Sequence, residues 1–258
     1  FQDTAAYGDD TSGNTNDFTL AGTMTQTKDT PTNNFATMNP LENYWNSATL
    51  SNGMTTVVTG SGVNAPVYST LGVTSGKWYW EYKPTARGGA VSYLVGVASN
   101  MSNSTSLKLG YHENDWAYKA YNGDSYNNNS GASYGDTWDT GDIIGVALDA
   151  TNSKLYFSKN GVWQDSGDPT SGATGTGALS LTIAPVTAGQ SFLGGWMAGI
   201  SYEDSGTATV ATNFGNGYFG TTAVTSAEAD GDGIGAFEYA PPTGYFALCT
   251  TNIKAYGG

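Results

Sequence analysis

The sequence predicts an all-β chain, and three observations carry that prediction. The first is a meander at Gly141 to Trp163, which reads GDIIGVALDATNSKLYFSKNGVW. The second is an aromatic stripe at period two, Trp78, Trp80 and Tyr82, within GKWYWEY. The third is the lack of any heptad pattern or internal repeat, so the chain encodes no coiled coil.

In the meander, Asp142 to Asp149 reads as the first strand. Successive side chains of a strand point to opposite faces. Ile144, Val146 and Leu148 therefore form a bulky face, and Ile143, Gly145 and Ala147 a lean one. Ala150 to Ser153 supplies turn residues. Lys154 to Ser158 returns, with Leu155 and Phe157 opposite Tyr156. Asn160-Gly161 then predicts a type I′ hairpin turn, which needs positive φ at both central positions. Val162 and Trp163 begin the third strand. The stripe at Trp78, Trp80 and Tyr82 reads as core rather than as a ligand platform, because large rings on one strand face dominate burial.

The chain divides into four regions. Residues 1–16 are polar and aperiodic, and read as a linker or terminal arm. Residues 17–59 read as an N-terminal strap with short strands. Asp17 to Thr27 is β-prone, and Pro31 and Pro40 punctuate the segment from Asp29 to Leu41. Tyr44 and Trp45 then precede a turn at Asn52-Gly53 and a strand at Thr56 to Thr59. Residues 60–220 hold the main β domain. A strand runs from Ala65 to Thr70, with Pro66 at its start. Residues 164–180 form a Gly/Ser/Thr-rich loop, and residues 190–219 predict hairpins turning at Asp204 to Gly206. A bulge or a close backbone contact is expected in GGWMAGI. Residues 221–258 are an acidic loop and a closing strap with one strand at Phe246 to Cys249.

The order of motifs in the main domain resembles the SPRY family. The GD-IGVALD-FSKNG run is similar to that family's central signature. GKWYWEY (Gly76 to Tyr82) and YLVGVAS (Tyr93 to Ser99) are similar to its earlier strands. LTIAPV (Leu181 to Val186) and TNFG (Thr212 to Gly215) resemble its closing strands, and WAYKAYNG resembles a further one. The resemblance covers roughly residues 60 to 216. It implies a SPRY-like, concanavalin-like β-sandwich of two antiparallel sheets with extended N- and C-terminal straps. It also implies a binding or structural role rather than catalysis. The flanks carry a second resemblance. DTPTNNF (Asp29 to Phe35) and PPTGYFALCTTN (Pro241 to Asn252) look like segments bracketing SPRY cores in proteins of tailed phages and marine viruses.

Composition narrows the partners. The formal net charge is −13, with only nine Lys and Arg, and these do not cluster. Nucleic-acid binding rests on cations that neutralise phosphates, so no nucleic-acid partner is expected. No apolar run approaches a bilayer span, so no membrane insertion is expected. One cysteine, Cys249, permits no intrachain disulfide and reads as a buried thiol.

Chemistry-bearing constellations are sparse. The single histidine, His112, sits in YHEND near Glu113 and Asp115, but no G-x-S-x-G elbow accompanies it. It reads as a surface-loop residue. Glu228, Asp230, Asp232 and Glu238 concentrate carboxylates. Asp230 and Asp232 form a weak calcium candidate, since Ile234 occupies what would be the third ligand position. No paired-carboxylate run of the glycosidase kind occurs. No metal, cofactor or catalytic residue is assigned. The ligand-binding candidates are Trp116, Tyr118, Tyr121, Tyr126, Tyr134 and Trp138, set among Asn and Asp. Aromatic faces stack on sugar C–H surfaces while amides and carboxylates take hydroxyls. Tyr126 and Trp138 are expected to be exposed, and Trp116 and Tyr118 to pack.

The resulting expectation is a non-enzymatic virion surface protein: a head fibre, capsid decoration or tail-fibre protein. Its partners would be other virion proteins or further copies of itself, and a host-surface glycan or protein. The alternative is an extracellular glycan- or protein-binding module, secreted or on a cell surface.

Overall fold

The turn chemistry of the meander is realised: Asn160 and Gly161 both have positive φ, 49° and 82°. So do Asn52 and Gly53, at 52° and 66°. The structure is a computed structural model. It describes residues 7–257 apart from 11, 23, 25, 43–46, 63, 90, 91, 103, 186–189 and 204–205. Tyr44, Trp45 and the turn at Asp204-Ser205 lie outside the described residues.

In chain order the strands are β1 Thr49–Ser51, β2 Thr56–Val58, β3 Val67–Val73, β4 Lys77–Arg87, β5 Ser92–Ser102 and β6 Asp115–Lys119. Then come β7 Asp124–Asn127, β8 Ser130–Ser133, β9 Ile144–Asp149, β10 Lys154–Lys159, β11 Val162–Trp163 and β12 Leu179–Ser180. The last are β13 Gln190–Glu203, β14 Ala208–Asn213, β15 Tyr218–Phe219, β16 Thr222–Ala223 and β17 Phe246–Ala247. One helix, α1 Thr250–Tyr256, comes after them. The larger sheet runs β1-β2-β14-β4-β9-β10-β11, with β12 beside β10 and β17 beside β4. The second runs β3-β13-β5-β6-β7-β8. All ladders are antiparallel in both sheets except β17 on β4, which is parallel. The fold is therefore the expected all-β sandwich of two antiparallel sheets with straps.

The aromatic stripe fills the space between the sheets. Trp78, Trp80 and Tyr82 are fully buried, and the Tyr82 hydroxyl donates across the gap to Gly199 O at 3.2 Å. Tyr118 on β6 packs on Phe157 of β10, centroids 5.3 Å apart.

Several local expectations are corrected. Residues 190–219 are not a hairpin: β13 pairs with β3 and β5, whereas β14 pairs with β2 and β4 in the other sheet. β13 and β14 thus lie in different sheets, because each strand's apolar face must meet the opposing sheet. Of LTIAPV, residues 181–185 form no strand. They lie as a loop, with Ala184 N donating to Asn114 Oδ1. The strand in that place is β13. It carries the expected irregularity, its register shifting between Phe192 and Met197 and again between Met197 and Gly199. Described residues of 17–27 form no ladder and are exposed. Helix α1 has no counterpart in the sequence reading.

The largest departure concerns the lean face of the meander. An antiparallel sheet is commonly solvated on one face, yet every residue of β9 is buried. The C-terminal strap covers the outer face of β4 and β9. Phe237 packs edge-on against Tyr79 at 4.9 Å. A Cβ on Gly145 would come within 2.6 Å of Tyr79 Oη, so the lean side leaves room for the Tyr79 ring. Two buried carboxylates hold the strap. Glu81 on β4 accepts from Glu238 N (2.9 Å) and Asn213 Nδ2 (3.2 Å) at one oxygen. The other takes Tyr239 N (2.8 Å) and the Tyr79 hydroxyl (3.2 Å). Asp230 accepts from Gly235 N, Ala247 N and Asn252 Nδ2, at 2.8, 2.7 and 3.1 Å, tying the acidic loop to β17 and α1.

Burial pushes the Glu81 carboxyl up to about 7 from 4.5, the four donors only partly opposing it. A carboxyl raised on folding binds its proton more tightly in the native state. Its stabilising contribution is complete below the unfolded value and is lost as pH rises through about 7. Urea unfolding should show stability falling by roughly 2–3 kcal/mol between about pH 5 and about pH 8. Glu81→Gln should flatten that slope. It should also cost about 1–3 kcal/mol at low pH, because its amide N–H would oppose the backbone N–H groups of the strap. An unchanged slope in Glu81→Gln would assign the pH dependence to other groups.

Candidate functional site

Of the six candidate aromatics, four are core. Trp116 meets Trp196 edge-on at 5.6 Å. Tyr118 is fully buried, its hydroxyl donating to Asp136 O and to Gln164 Oε1. Tyr134 is buried edge-on to Tyr118 at 5.6 Å, and its hydroxyl accepts from Phe157 N at 3.1 Å. Trp138 was expected on the surface but is 3% exposed. It stacks on Tyr93 at 5.8 Å, because the 134–142 loop folds into the sandwich rather than over it. Burial raises the Tyr118 and Tyr134 hydroxyls well above the ordinary tyrosine range.

Tyr126, also expected to be exposed, is half-buried and its ring is already occupied. Lys108 Nζ and Lys119 Nζ stand 4.8 and 5.0 Å from its centroid. Both ammoniums pair with Glu203, at 2.5 and 2.6 Å. Burial alone would raise the Glu203 carboxyl, but the two lysines overcome it and hold the group below its usual range. These residues close one side of a small second core. There the β5–β6 loop lays Leu109 over Leu94, Ala98 and Ala117 on the outer face of the second sheet.

Tyr121 alone of the six is open to solvent, at 65% exposure. It lies just beyond β6 and lines a cleft of about 380 Å³ with Arg87 at the end of β4, Lys159 at the end of β10, and the Thr137–Asp142 loop. Strand ends and loops bring these residues together from positions far apart in sequence. Arg87 pairs with Asp139 at 2.9 Å, and Lys159 pairs with Asp142 at 3.7 Å while donating to Thr137 O at 2.7 Å. Trp138 forms one wall, and its indole Nε1 is buried with no acceptor. The cleft offers an exposed ring and balanced charges. That chemistry suits a polar polymer such as a peptide, which carries carbonyl acceptors and charged side chains. The sequence reading found Tyr121 but missed Arg87, Asp139 and Lys159. The one available signal was an isolated arginine opening an Arg-Gly-Gly loop.

The remaining candidates resolve as structural. Asp115 Oδ1 accepts from the backbone N of His112 at 2.7 Å and so holds the loop there. The bond is made to the main chain, not to the imidazole, so it is not the carboxylate–imidazole contact of a nucleophilic triad. His112 is half-buried rather than freely exposed, and desolvation lowers its basicity. Cys249 is buried, which raises its thiol. The calcium candidate is corrected: the three N–H donors on Asp230 occupy the positions a cation would need. Among the described residues no three His, Cys, Asp or Glu side chains group as metal ligands. Among them, too, no helix is long and apolar enough to cross a membrane.

Residues 77–193 match the family model of the SPRY domain. This stretch is a SPRY domain. The match takes in β4 to β12, the start of β13 and every residue of the Tyr121 cleft. Among curated proteins, the chain is 27% identical over 98 residues to a Ran-binding proteins 9/10 homolog of Drosophila melanogaster, covering 38% of this chain and 10% of that protein. It is 29% identical over 87 residues to Ran-binding protein 9 of Danio rerio, covering 33% of this chain and 14% of that one. The chain thus spans a small fraction of the length of these relatives. The solved SPRY domain of human HERC1 is similar over 68% of this chain and 96% of its own, with a TM-score of 0.45 and 21% identity. SPRY domains are generally protein-binding modules rather than enzymes.

The split between core and open aromatics is testable by urea unfolding. Trp138→Ala should cost about 3–5 kcal/mol, as removal of a buried ring does. Tyr121→Ala should stay within about 0.5 kcal/mol of the parent chain. Comparable losses in the two variants would show that the Tyr121 ring is also structural.

Proposed function

We propose that this chain is a non-catalytic binding protein of a virion surface: a head fibre, capsid decoration or tail-fibre component. Its SPRY domain grips a host-surface protein through the Tyr121 cleft. The observation that carries the binding reading is the cleft itself, where Arg87, Lys159 and the open Tyr121 ring converge within the matched domain. The named relatives, Ran-binding proteins, are in keeping with a protein ligand.

The virion reading rests on the flanks. The two segments that resemble phage-encoded proteins are joined to each other. Phe35 bridges Cys249, Ala36 N donates to Leu248 O at 2.8 Å, and Thr250 N donates to Asn34 O at 2.9 Å. Two segments that clasp each other in space would act as one mounting unit for the SPRY sandwich. On this reading the unit seats the chain against another virion protein or a further copy, and the loop end of the sandwich points outward.

Quantitative mass spectrometry of purified virions tests the assignment by counting this chain against the major capsid protein. A high ratio is expected for head decoration and a low one for a fibre or spike. Absence from the particles overturns the virion reading in favour of an extracellular binding module. Binding to host-surface proteins that survives Tyr121→Ala and Arg87→Ala unchanged would overturn the assignment to the cleft.

A further inference from the structure

Beside the clasp, the N-terminal segment and residues 216–236 border a cleft of about 1000 Å³, larger than the one at Tyr121 and outside residues 77–193. Residues 26–31 and Tyr7 of the N-terminal arm form one side. Asn216, Tyr218, Val224 and Ala236 are among the residues of the other.

We propose that this cleft is a second binding site and that its ligand is a neutral saccharide. Three observations lead to that class. The first is charge. Among the described lining residues the ionic groups are Lys28 and Asp29, one of each sign. Lys28 Nζ donates to Ile234 O and Gly235 O at 3.3 and 3.2 Å. Asp29 accepts from Phe35 N at 2.9 Å and from the Thr27 hydroxyl at 2.8 Å. Lys28 and Asp29 balance in charge, and two of the three Lys28 ammonium N–H groups are turned to main-chain carbonyls, so the wall carries no net positive charge to draw a phosphate or carboxylate. In a chain of net charge −13 an anionic ligand would also meet long-range repulsion.

The second observation is the mixture of rings and neutral polar groups. Tyr7 and Tyr218 are half-buried tyrosines, and Gln26 and Thr30 are exposed. Apolar C–H faces of a sugar ring lie on such tyrosines, while its hydroxyls exchange hydrogen bonds with amides and hydroxyls. The third is Asn216. It lines the cleft, is only 5% exposed, and its Oδ1 has no donor. A buried acceptor left unpaired is unfavourable, and a ligand hydroxyl is a donor of the right kind for it.

The site is independent of the SPRY loops and of whether the chain is mounted on a virion. The test uses the full chain and a panel of uncharged saccharides, namely chitobiose, lactose, maltose and mannobiose, read by saturation-transfer NMR and calorimetry. At least one should bind. Tyr218→Ala and Asn216→Ala should each weaken it about tenfold or more, the scale of a removed anchor. Gln26→Ala, an exposed arm substitution that leaves the sandwich intact, should weaken it severalfold. It serves as the readout should the other two variants fail to fold. No binding across the panel overturns the proposal. So does binding that Tyr121→Ala abolishes while Tyr218→Ala and Gln26→Ala leave it intact, which would move the sugar to the loop cleft.

Discussion

The Glu81 carboxylate lies on the face of β4 turned away from the opposing sheet, and it is buried without a cationic partner. That placement is sustainable only because four donors converge on it, two of them backbone N–H groups of the C-terminal strap. Burying an unpaired carboxylate is costly unless its oxygens are well hydrogen-bonded. The strap is thus bound to the sheet by a mutual need. Without the strap, Glu81, Tyr79 and the lean side of β9 would face water. Without Glu81, the strap's N–H groups at Glu238 and Tyr239 would lose their acceptor.

The same logic extends outward. Asn213, one of the four donors, also donates to Ala236 O and accepts from Gly215 N and Gly217 N, so β14 and the strap are tied to the same centre. Asp230 repeats the device one layer further on and sets β17 in parallel beside β4. The N-terminal flank then closes over this C-terminal unit through the Phe35–Cys249 bridge. The SPRY sandwich therefore has two differently made surfaces. The loop end displays charged and aromatic side chains that strand geometry sets in place. The strapped face is a polar network carrying a second, charge-neutral cleft.

Acidic side chains illustrate why residue type alone misleads. Asp230 and Asp232 stand in a spacing that suggests calcium, yet Asp230 is an internal hydrogen-bond acceptor. Burial and the neighbouring Asp230 charge raise the Asp232 carboxyl. Aromatics mislead in the same way: Trp138 and Tyr121 sit in one loop region, but one is a core pin and the other an open ring. The difference lies in which of them finds Tyr93 and Tyr118 to pack against.

The all-β class, the meander at Gly141 to Trp163, the inward stripe of Trp78, Trp80 and Tyr82, and the type I′ turn at Asn160-Gly161 were all legible in the chain. Each comes from local rules: period-two alternation and the positive φ that Asn and Gly tolerate. The motif order also located the SPRY stretch. What local rules cannot reach is pairing between distant segments. That β13 and β14 belong to different sheets depends on which apolar faces meet across the sandwich. That Glu81 is buried depends on a strap more than 150 residues away. Which aromatic stays open at the loop cleft, and which flank residues face each other across the second cleft, are likewise products of tertiary contact. They depend on long-range hydrogen bonds and ring packing that no window of sequence contains.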